Sequence, residues 1–93
     1  MNKTIWKYEM GITVKQKLEM PVNAEILTVQ IQEGKPCLWA LVDPNEKKEI
    51  RTFETFGTGS PIYCDMEIDR KYIGTCQLYD GSLILHIFET LKP

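Results

Sequence analysis

A glycine-rich loop between two predicted strands is the segment best suited to hold an anion. It consists of Gly57, Thr58, Gly59 and Ser60. Glycines let the backbone approach a ligand closely and direct N–H groups at it, and the two hydroxyl groups add donors. The loop lacks the Gly-Lys-Ser/Thr sequence and the following helix of a phosphate-binding loop. An ordinary strand connection is therefore the simpler interpretation.

Arg51 and Phe53 alternate onto one face of the strand that leads into this loop. A guanidinium group can bind a phosphate through two parallel hydrogen bonds, and an aromatic ring such as that of Phe53 or Trp39 can stack on a base. An exposed arginine and two aromatic core residues would give the same pattern, because tryptophan is common in thin cores. Both interpretations stay open.

His86 is the only histidine and lies in an apolar strand. A lone histidine is more often a hydrogen-bonded structural residue than a catalyst, because acid–base catalysis needs an orienting partner and a substrate within reach. As a ligand-binding residue, His86 could donate a hydrogen bond to a carbonyl or phosphate oxygen, or stack on a base. It completes the set of candidate ligand-binding residues: Trp39, Arg51, Phe53, Gly57, Thr58, Gly59, Ser60 and His86.

The cysteines and clustered carboxylates do not form a recognisable catalytic or metal-binding motif. Cys37, Cys64 and Cys76 are far apart in the sequence, so a zinc site that includes His86 has little support and no cofactor is expected. The carboxylates of residues 65–69 are typical of a solvated face. No catalytic residue is predicted, and the sequence favours a binding protein over an enzyme.

Composition limits the classes of partner. The chain has 93 residues, 43% of them hydrophobic, and a formal net charge of −2. This length predicts one domain spanning residues 1–93. A general nucleic-acid-binding protein would carry an excess of basic residues. The negative net charge therefore predicts no general nucleic-acid binding. An odd number of cysteines, no signal peptide and no apolar span predict a cytoplasmic protein that does not bind membranes.

Alternation of apolar and polar residues with a period of two predicts about seven strands. They cover residues 4–10, 16–20, 25–32, 37–42, 48–56, 72–78 and 83–89. Residues 33–36 and 43–46 are predicted turns, and Asp80-Gly81 favours a type I′ hairpin turn. The expected fold is all-β, with antiparallel strands in a small meander, sandwich or partly open barrel.

Residues 37–42 are apolar at every position. A strand that is apolar on both faces is covered on both faces. The cover could come from a second subunit, although a central strand under the curl of its own sheet is the simpler explanation.

Six segments distributed over nearly the whole chain resemble a family of small phage-encoded proteins that carries a domain-of-unknown-function label. They are residues 4–8, 20–21 followed by 24–30, 36–44, 57–62, 72–75 and 85–89, and include Cys37-Leu38-Trp39-Ala40-Leu41-Val42 and Gly57-Thr58-Gly59-Ser60. This family in turn resembles phage anti-CBASS sponge proteins. These are non-enzymatic oligomers that sequester cyclic dinucleotide immune signals such as 3′3′-cGAMP.

This resemblance implies a phage protein in the cytoplasm of the infected host cell, with a small anionic nucleotide as its ligand and a homo-oligomeric state, dimer or tetramer. A two-fold symmetric ligand favours a site between symmetric subunits. Two other hypotheses stay open. The first is a protein-binding module that blocks a host protein through a strand edge, and the second is a small nucleotide hydrolase.

Overall fold

The chain folds into seven β-strands, as a computed structural model that describes residues 2–92 shows. The strands are β1 (Thr4–Glu9), β2 (Lys15–Pro21), β3 (Glu25–Gln32), β4 (Lys35–Val42), β5 (Lys48–Gly57), β6 (Asp69–Leu78) and β7 (Leu83–Lys92). The predicted all-β class is confirmed. Within the described residues, the chain contains no helix with the length and apolar character needed to cross a bilayer.

The strands form two antiparallel sheets. Sheet A has the order β1-β4-β3, and sheet B has the order β2-β5-β7-β6. The chain crosses between the sheets after β1, β2 and β4. Most neighbouring strands are therefore distant in sequence, and neither sheet is a simple meander.

The core lies between the two sheets. Its most buried side chains include Leu38, Ala40 and Val42 of β4, Phe53 of β5 and Ile87 of β7, all at most 1% exposed. Burying a large apolar side chain contributes about 1.5–3 kcal/mol. Successive residues of a strand point to opposite faces, so these positions also determine which residues face outward.

The two sheets meet along one side, where the edge of β3 lies next to the edge of β6. A Cβ atom on Gly74 would lie 2.7 Å from Cγ1 of Val29, so a larger residue at this position would have to push the strands apart. The sheets do not close into a barrel, and β1 and β2 are the edge strands on the other side.

Both hairpin turns lie within predicted turn segments, and the tighter of them joins β3 to β4. Gln32 pairs with Lys35, and Glu33 and Gly34 between them have φ angles of 51° and 78°. This is the two-residue loop typical of a type I′ turn. The Asp-Gly hairpin has a four-residue loop, because Leu78 pairs with Leu83. Within it, Asp80 (φ 55°, ψ 34°) and Gly81 (φ 87°) are the central residues of a turn that the Ser82 N–H closes on the Tyr79 carbonyl at 3.1 Å. Positive φ at both central residues is what a type I′ turn requires, so the prediction for Asp80-Gly81 is confirmed.

Candidate functional site

The outer face of sheet B, the face directed away from the core, carries aromatic and polar side chains. Since Phe53 points into the core, its neighbours Glu54 and Phe56 point outward. The strand register aligns Glu54, Phe88 and Tyr72 in one row across β5, β7 and β6. It aligns Phe56, His86 and Thr75 in the next row.

Three aromatic rings form a cluster on this face, consisting of Phe56, Tyr72 and Phe88. The ring centroids of Phe56 and Phe88 are 5.8 Å apart at an interplanar angle of 73°, and those of Tyr72 and Phe88 are 5.4 Å apart at 63°. Edge-to-face packing of this kind is favourable. Tyr72 is exposed and the two phenylalanines are half-buried, so parts of the cluster remain open to a planar ligand.

A chain of hydrogen bonds joins the glycine-rich loop to the aromatic cluster. The Oγ1 atom of Thr58 lies 2.7 Å from Nε2 of His86, and Nδ1 of His86 lies 3.0 Å from Oγ1 of Thr75. The hydroxyl groups of Thr75 and Tyr72 are also hydrogen-bonded to each other. A neutral imidazole donates through one nitrogen and accepts through the other. The two threonines therefore fix the orientation of His86.

An ion pair lies beside the cluster. Nε of Arg70 donates to Oε1 of Glu54 at 2.7 Å, and the guanidinium group lies 5.5 Å from the ring centroid of Phe56. Thr90 also donates to Oε1 of Glu54, at 2.6 Å. Arg70 further donates to the carbonyl of Tyr63 at 2.8 Å, which fixes part of the connection between β5 and β6.

Glu54 should make the stability of the protein depend on acid pH. The hydrogen bond from Arg70 is the main reason that the pKa of Glu54 is lowered from its ordinary value of 4.5. A lowered folded-state pKa stabilises the fold fully above pH 4.5, and this stabilisation is lost as the pH falls through the folded-state pKa. In urea unfolding at a series of pH values, the free energy of unfolding of Glu54→Gln should fall less than that of the wild type as the pH is lowered. An identical acid profile for the variant would contradict the assignment.

A cavity of about 370 Å³ adjoins the ion pair and Phe88. It is lined by Ile62, Cys64, Ile68, Asp69, Arg70 and Phe88. This volume falls at the lower end of the range of small-molecule sites, about 300–1,000 Å³. Phe88 belongs to the aromatic cluster and also lines the cavity, and so does Arg70, which lies over the ring of Phe56. A ligand on the aromatic cluster could therefore extend into the cavity.

The structure brings together the predicted residues of the loop and His86. Gly57, Thr58, Gly59 and Ser60 form a closed turn, in which the Ser60 N–H donates to the Gly57 carbonyl at 3.1 Å. Gly59 has a φ of 85°, a conformation that favours glycine. The turn holds Thr58 against His86 at the border of the aromatic cluster.

The other predicted residues lie elsewhere. Phe53 is 0% exposed in the core, so its ring has no free face for a base. Trp39 is half-buried on sheet A. Arg51 faces the core side of sheet B, where Nε and Nη2 donate to the carboxylate of Glu89 at 2.6 and 2.8 Å.

Arg51 is occupied by contacts within the protein. Its Nη1 atom donates to the carbonyl of Ala24, and the hydrogen bond to Glu89 is the main cause of its raised pKa. A second cavity, of about 570 Å³, lies next to this pair and is lined in part by Glu49 and Glu89. Its carboxylates outnumber its one guanidinium group, which disfavours a phosphate there.

Phe56, Tyr72, Thr75 and Phe88 were not among the predicted ligand-binding residues. Alternation shows that Phe56 and Phe88 each share a face with polar residues. It does not show that β5, β7 and β6 are neighbours in the register that brings these residues together.

The cysteines are free thiols in this structure. Cys37 and Cys76 are buried and Cys64 is exposed. Burial is the main cause of the raised pKa of Cys76. In the part of the chain that the structure describes, no three His, Cys, Asp or Glu residues are grouped to hold a metal ion.

Comparison with known proteins places the chain in a family. The model of the domain of unknown function DUF7352 matches residues 1–93, so the chain belongs to this family over its whole length. No curated protein and no solved structure is significantly similar to it.

Proposed function

We propose that this member of the DUF7352 family binds and sequesters a small anionic nucleotide on the outer face of sheet B without cleaving it. One observation carries the proposal: a half-open aromatic cluster and the hydrogen-bonded chain Thr58–His86–Thr75–Tyr72 share one sheet face. Ring faces suit stacking on a base, and hydroxyl and imidazole groups suit hydrogen bonding to phosphate oxygens.

The charge distribution supports an anionic ligand at this position. Lys15 lies opposite Glu54 and Lys17 lies opposite Thr52 in the register of β2 and β5, so both lysines project from the outer face of sheet B. Arg70 neutralises Glu54. Lys15 and Lys17 therefore add two positive charges to this face, and Glu19, which lies opposite Ile50, adds one negative charge to it.

The contacts of the carboxylates support binding without turnover. Glu54 accepts hydrogen bonds from Arg70 and Thr90, and its lowered pKa makes it a weak base. The pair Thr58–His86 has the spacing of a nucleophile and its base, but the other nitrogen of His86 contacts the neutral hydroxyl of Thr75. In hydrolases of this type a carboxylate occupies that position and stabilises the imidazolium ion.

Cyclic dinucleotides are the first ligands to test. The resemblance of the family to phage anti-CBASS sponge proteins supports sequestration of signals such as 3′3′-cGAMP, by which a phage protein would block the host defence in the infected cell. A cyclic dinucleotide offers two phosphates and two bases, which match the polar chain and the aromatic cluster. Sequestration requires affinity and no catalytic group.

Thermal unfolding with a panel of nucleotides tests the proposal. The panel contains 3′3′-cGAMP, cyclic di-GMP, cyclic di-AMP and AMP. A ligand present at about 100 times its Kd stabilises the folded state by about 2.7 kcal/mol, which corresponds to a rise in Tm of about 10 °C or more for a domain of this size. Mass spectrometry of the ligand after incubation should recover it intact.

Two tyrosine variants locate the site. Tyr72→Ala should reduce the Tm rise strongly, because Tyr72 belongs to both the aromatic cluster and the polar chain. Tyr79→Ala is the matched control, since Tyr79 is also exposed but lies in the β6–β7 hairpin loop. No Tm rise with any nucleotide would overturn the proposal and favour a protein partner, whereas a cleaved ligand would favour the hydrolase hypothesis.

A further inference from the structure

The polar chain between Thr58 and Tyr72 has two ends that a ligand can contact, and His86 lies between them. Thr58 contacts Nε2 of His86 at 2.7 Å, and Thr75 contacts Nδ1 at 3.0 Å. The hydroxyl group of Tyr72 is bound to that of Thr75. Thr58 and Tyr72 are both exposed, so the two terminal hydroxyl groups are accessible to a ligand.

A neutral His86 leaves only one of the two ends able to donate a hydrogen bond. Each hydroxyl group has a single hydrogen, and a neutral imidazole has a donor at one nitrogen and an acceptor at the other. If Nε2 accepts, the hydrogen of Thr58 is directed at the ring. If Nδ1 accepts, the hydrogen of Thr75 is directed at the ring, and Thr75 accepts the hydrogen of Tyr72. One end therefore presents only lone pairs, which repel an anionic oxygen.

A protonated His86 makes both ends donors. The imidazolium ion donates at both nitrogens, so Thr58 accepts from the ring and can direct its own hydrogen outward. Thr75 likewise accepts from the ring and donates to the oxygen of Tyr72, which frees the phenol hydrogen. The chain then offers a donor at each end and a positive charge between them. This arrangement suits a ligand whose contacting atoms are all acceptors, as the oxygen atoms of a phosphodiester are.

The charged groups of the strands beside His86 are paired with each other. On the outer face of β5 the carboxylate is Glu54, one row away from His86, and on β6 the cation is Arg70. These two side chains form an ion pair at 2.7 Å. A further titratable group beside His86 is the phenol of Tyr72, which belongs to the polar chain itself. In this setting the negative charge that favours a proton on His86 comes from the bound ligand.

From these contacts we infer that the site selects a ligand with acceptor oxygen atoms at both ends of the polar chain, and that binding of this ligand places one proton on His86. The inference rests on the proposed function, because it concerns the same site, and it adds the hydrogen-bonding class of the ligand. Histidine is the side chain that ordinarily exchanges its proton between about pH 5 and 8. A phosphodiester stays ionised over this range, so a change of affinity there reports on the protein.

Calorimetric titration with 3′3′-cGAMP, cyclic di-GMP and cyclic di-AMP tests the uptake of a proton. The affinity should be roughly tenfold higher at about pH 6 than at about pH 8, the gain expected from one charge-assisted hydrogen bond. Between these two pH values, the binding enthalpy should change with the ionisation enthalpy of the buffer, because the buffer supplies the proton. Both measurements need only the wild-type protein.

Two variants locate the proton. His86→Gln keeps an amide donor and an acceptor but does not take up a proton, so its affinity should be the same at both pH values. Tyr79→Ala is the matched control, since Tyr79 is exposed in the β6–β7 hairpin loop, and it should retain the full pH dependence.

Three results would contradict the inference. Binding with equal affinity at both pH values and without proton uptake would overturn it and leave the proposed function standing. A pH dependence that persists in His86→Gln would overturn it as well, because the proton would then bind elsewhere. Absence of binding by all three cyclic dinucleotides at both pH values would overturn the choice of ligand in the proposed function, and this inference with it.

Discussion

Replacing Arg51 with methionine is expected to lower the free energy of unfolding by about 3–5 kcal/mol, because Glu89 would keep a buried charge without its partner. The side chains of Arg51 and Glu89 are only 17% and 6% exposed, and two hydrogen bonds join them. The substitution also removes the donor to the carbonyl of Ala24 in the β2–β3 connection. Urea unfolding monitored by circular dichroism measures the loss.

A surface ion pair provides the matched control for Arg51. Lys35 and Glu9 are 3.3 Å apart, but their side chains are 65% and 55% exposed. Lys35→Met should therefore change the stability by only about 0–1 kcal/mol. The double variant Arg51→Met, Glu89→Leu should recover most of the loss, since removing both buried charges is often neutral. Equal losses of stability in Arg51→Met and Lys35→Met would show that the Arg51–Glu89 pair is not desolvated.

Truncation of Phe53 to alanine should also destabilise the protein by about 3–5 kcal/mol, the usual cost of removing a buried aromatic ring. Phe53 is 0% exposed and belongs to the core cluster between the sheets. The measurement is again the free energy of unfolding in urea. Phe53→Leu keeps the site apolar and should cost much less.

Phe56 distinguishes a core role from a ligand-binding role. It lies three residues after Phe53 on the same strand but on the outer face, where its ring is half-buried beside Phe88. Phe56→Ala should cost less stability than Phe53→Ala and should abolish the nucleotide-induced rise in Tm. Phe53→Leu should leave that rise unchanged. If only Phe53→Leu lost the nucleotide-induced rise in Tm, the ligand would instead bind on the core side of sheet B.

Local sequence patterns were sufficient to locate the strands. Alternation placed β3 at residues 25–32, as in the structure, and located most of β5 and β7. β6 begins at Asp69, three residues earlier than predicted, in a segment that alternates poorly and contains a register shift between Tyr72 and Gly74. Period-two alternation indicates which face of a strand is buried. The pattern is a weak signal near a bulge, because the bulge reverses the face to which the following residues point.

The composition of the site was harder to predict, because it depends on partners far apart in the sequence. The sequence alone is compatible with Arg51 as a phosphate ligand or as one member of a structural ion pair. The pairing of β7 with β5, which sets Glu89 opposite Phe53, decides for the ion pair. The pairing of Thr58 with His86 spans 28 residues and depends on the same neighbours. Strand order is set by the packing of the whole core, so the residue pattern of a single strand does not determine which strands become its neighbours.

The position of β7 between β5 and β6 has a consequence for the order of folding. β7 follows β6 in sequence, yet it is an inner strand of sheet B with partners on both sides. Until β7 is in place, β5 and β6 each have an unpaired backbone edge, the kind of edge that promotes aggregation. Sheet B is therefore completed only when β7 inserts between them, so a change that weakens β7 exposes both edges at once.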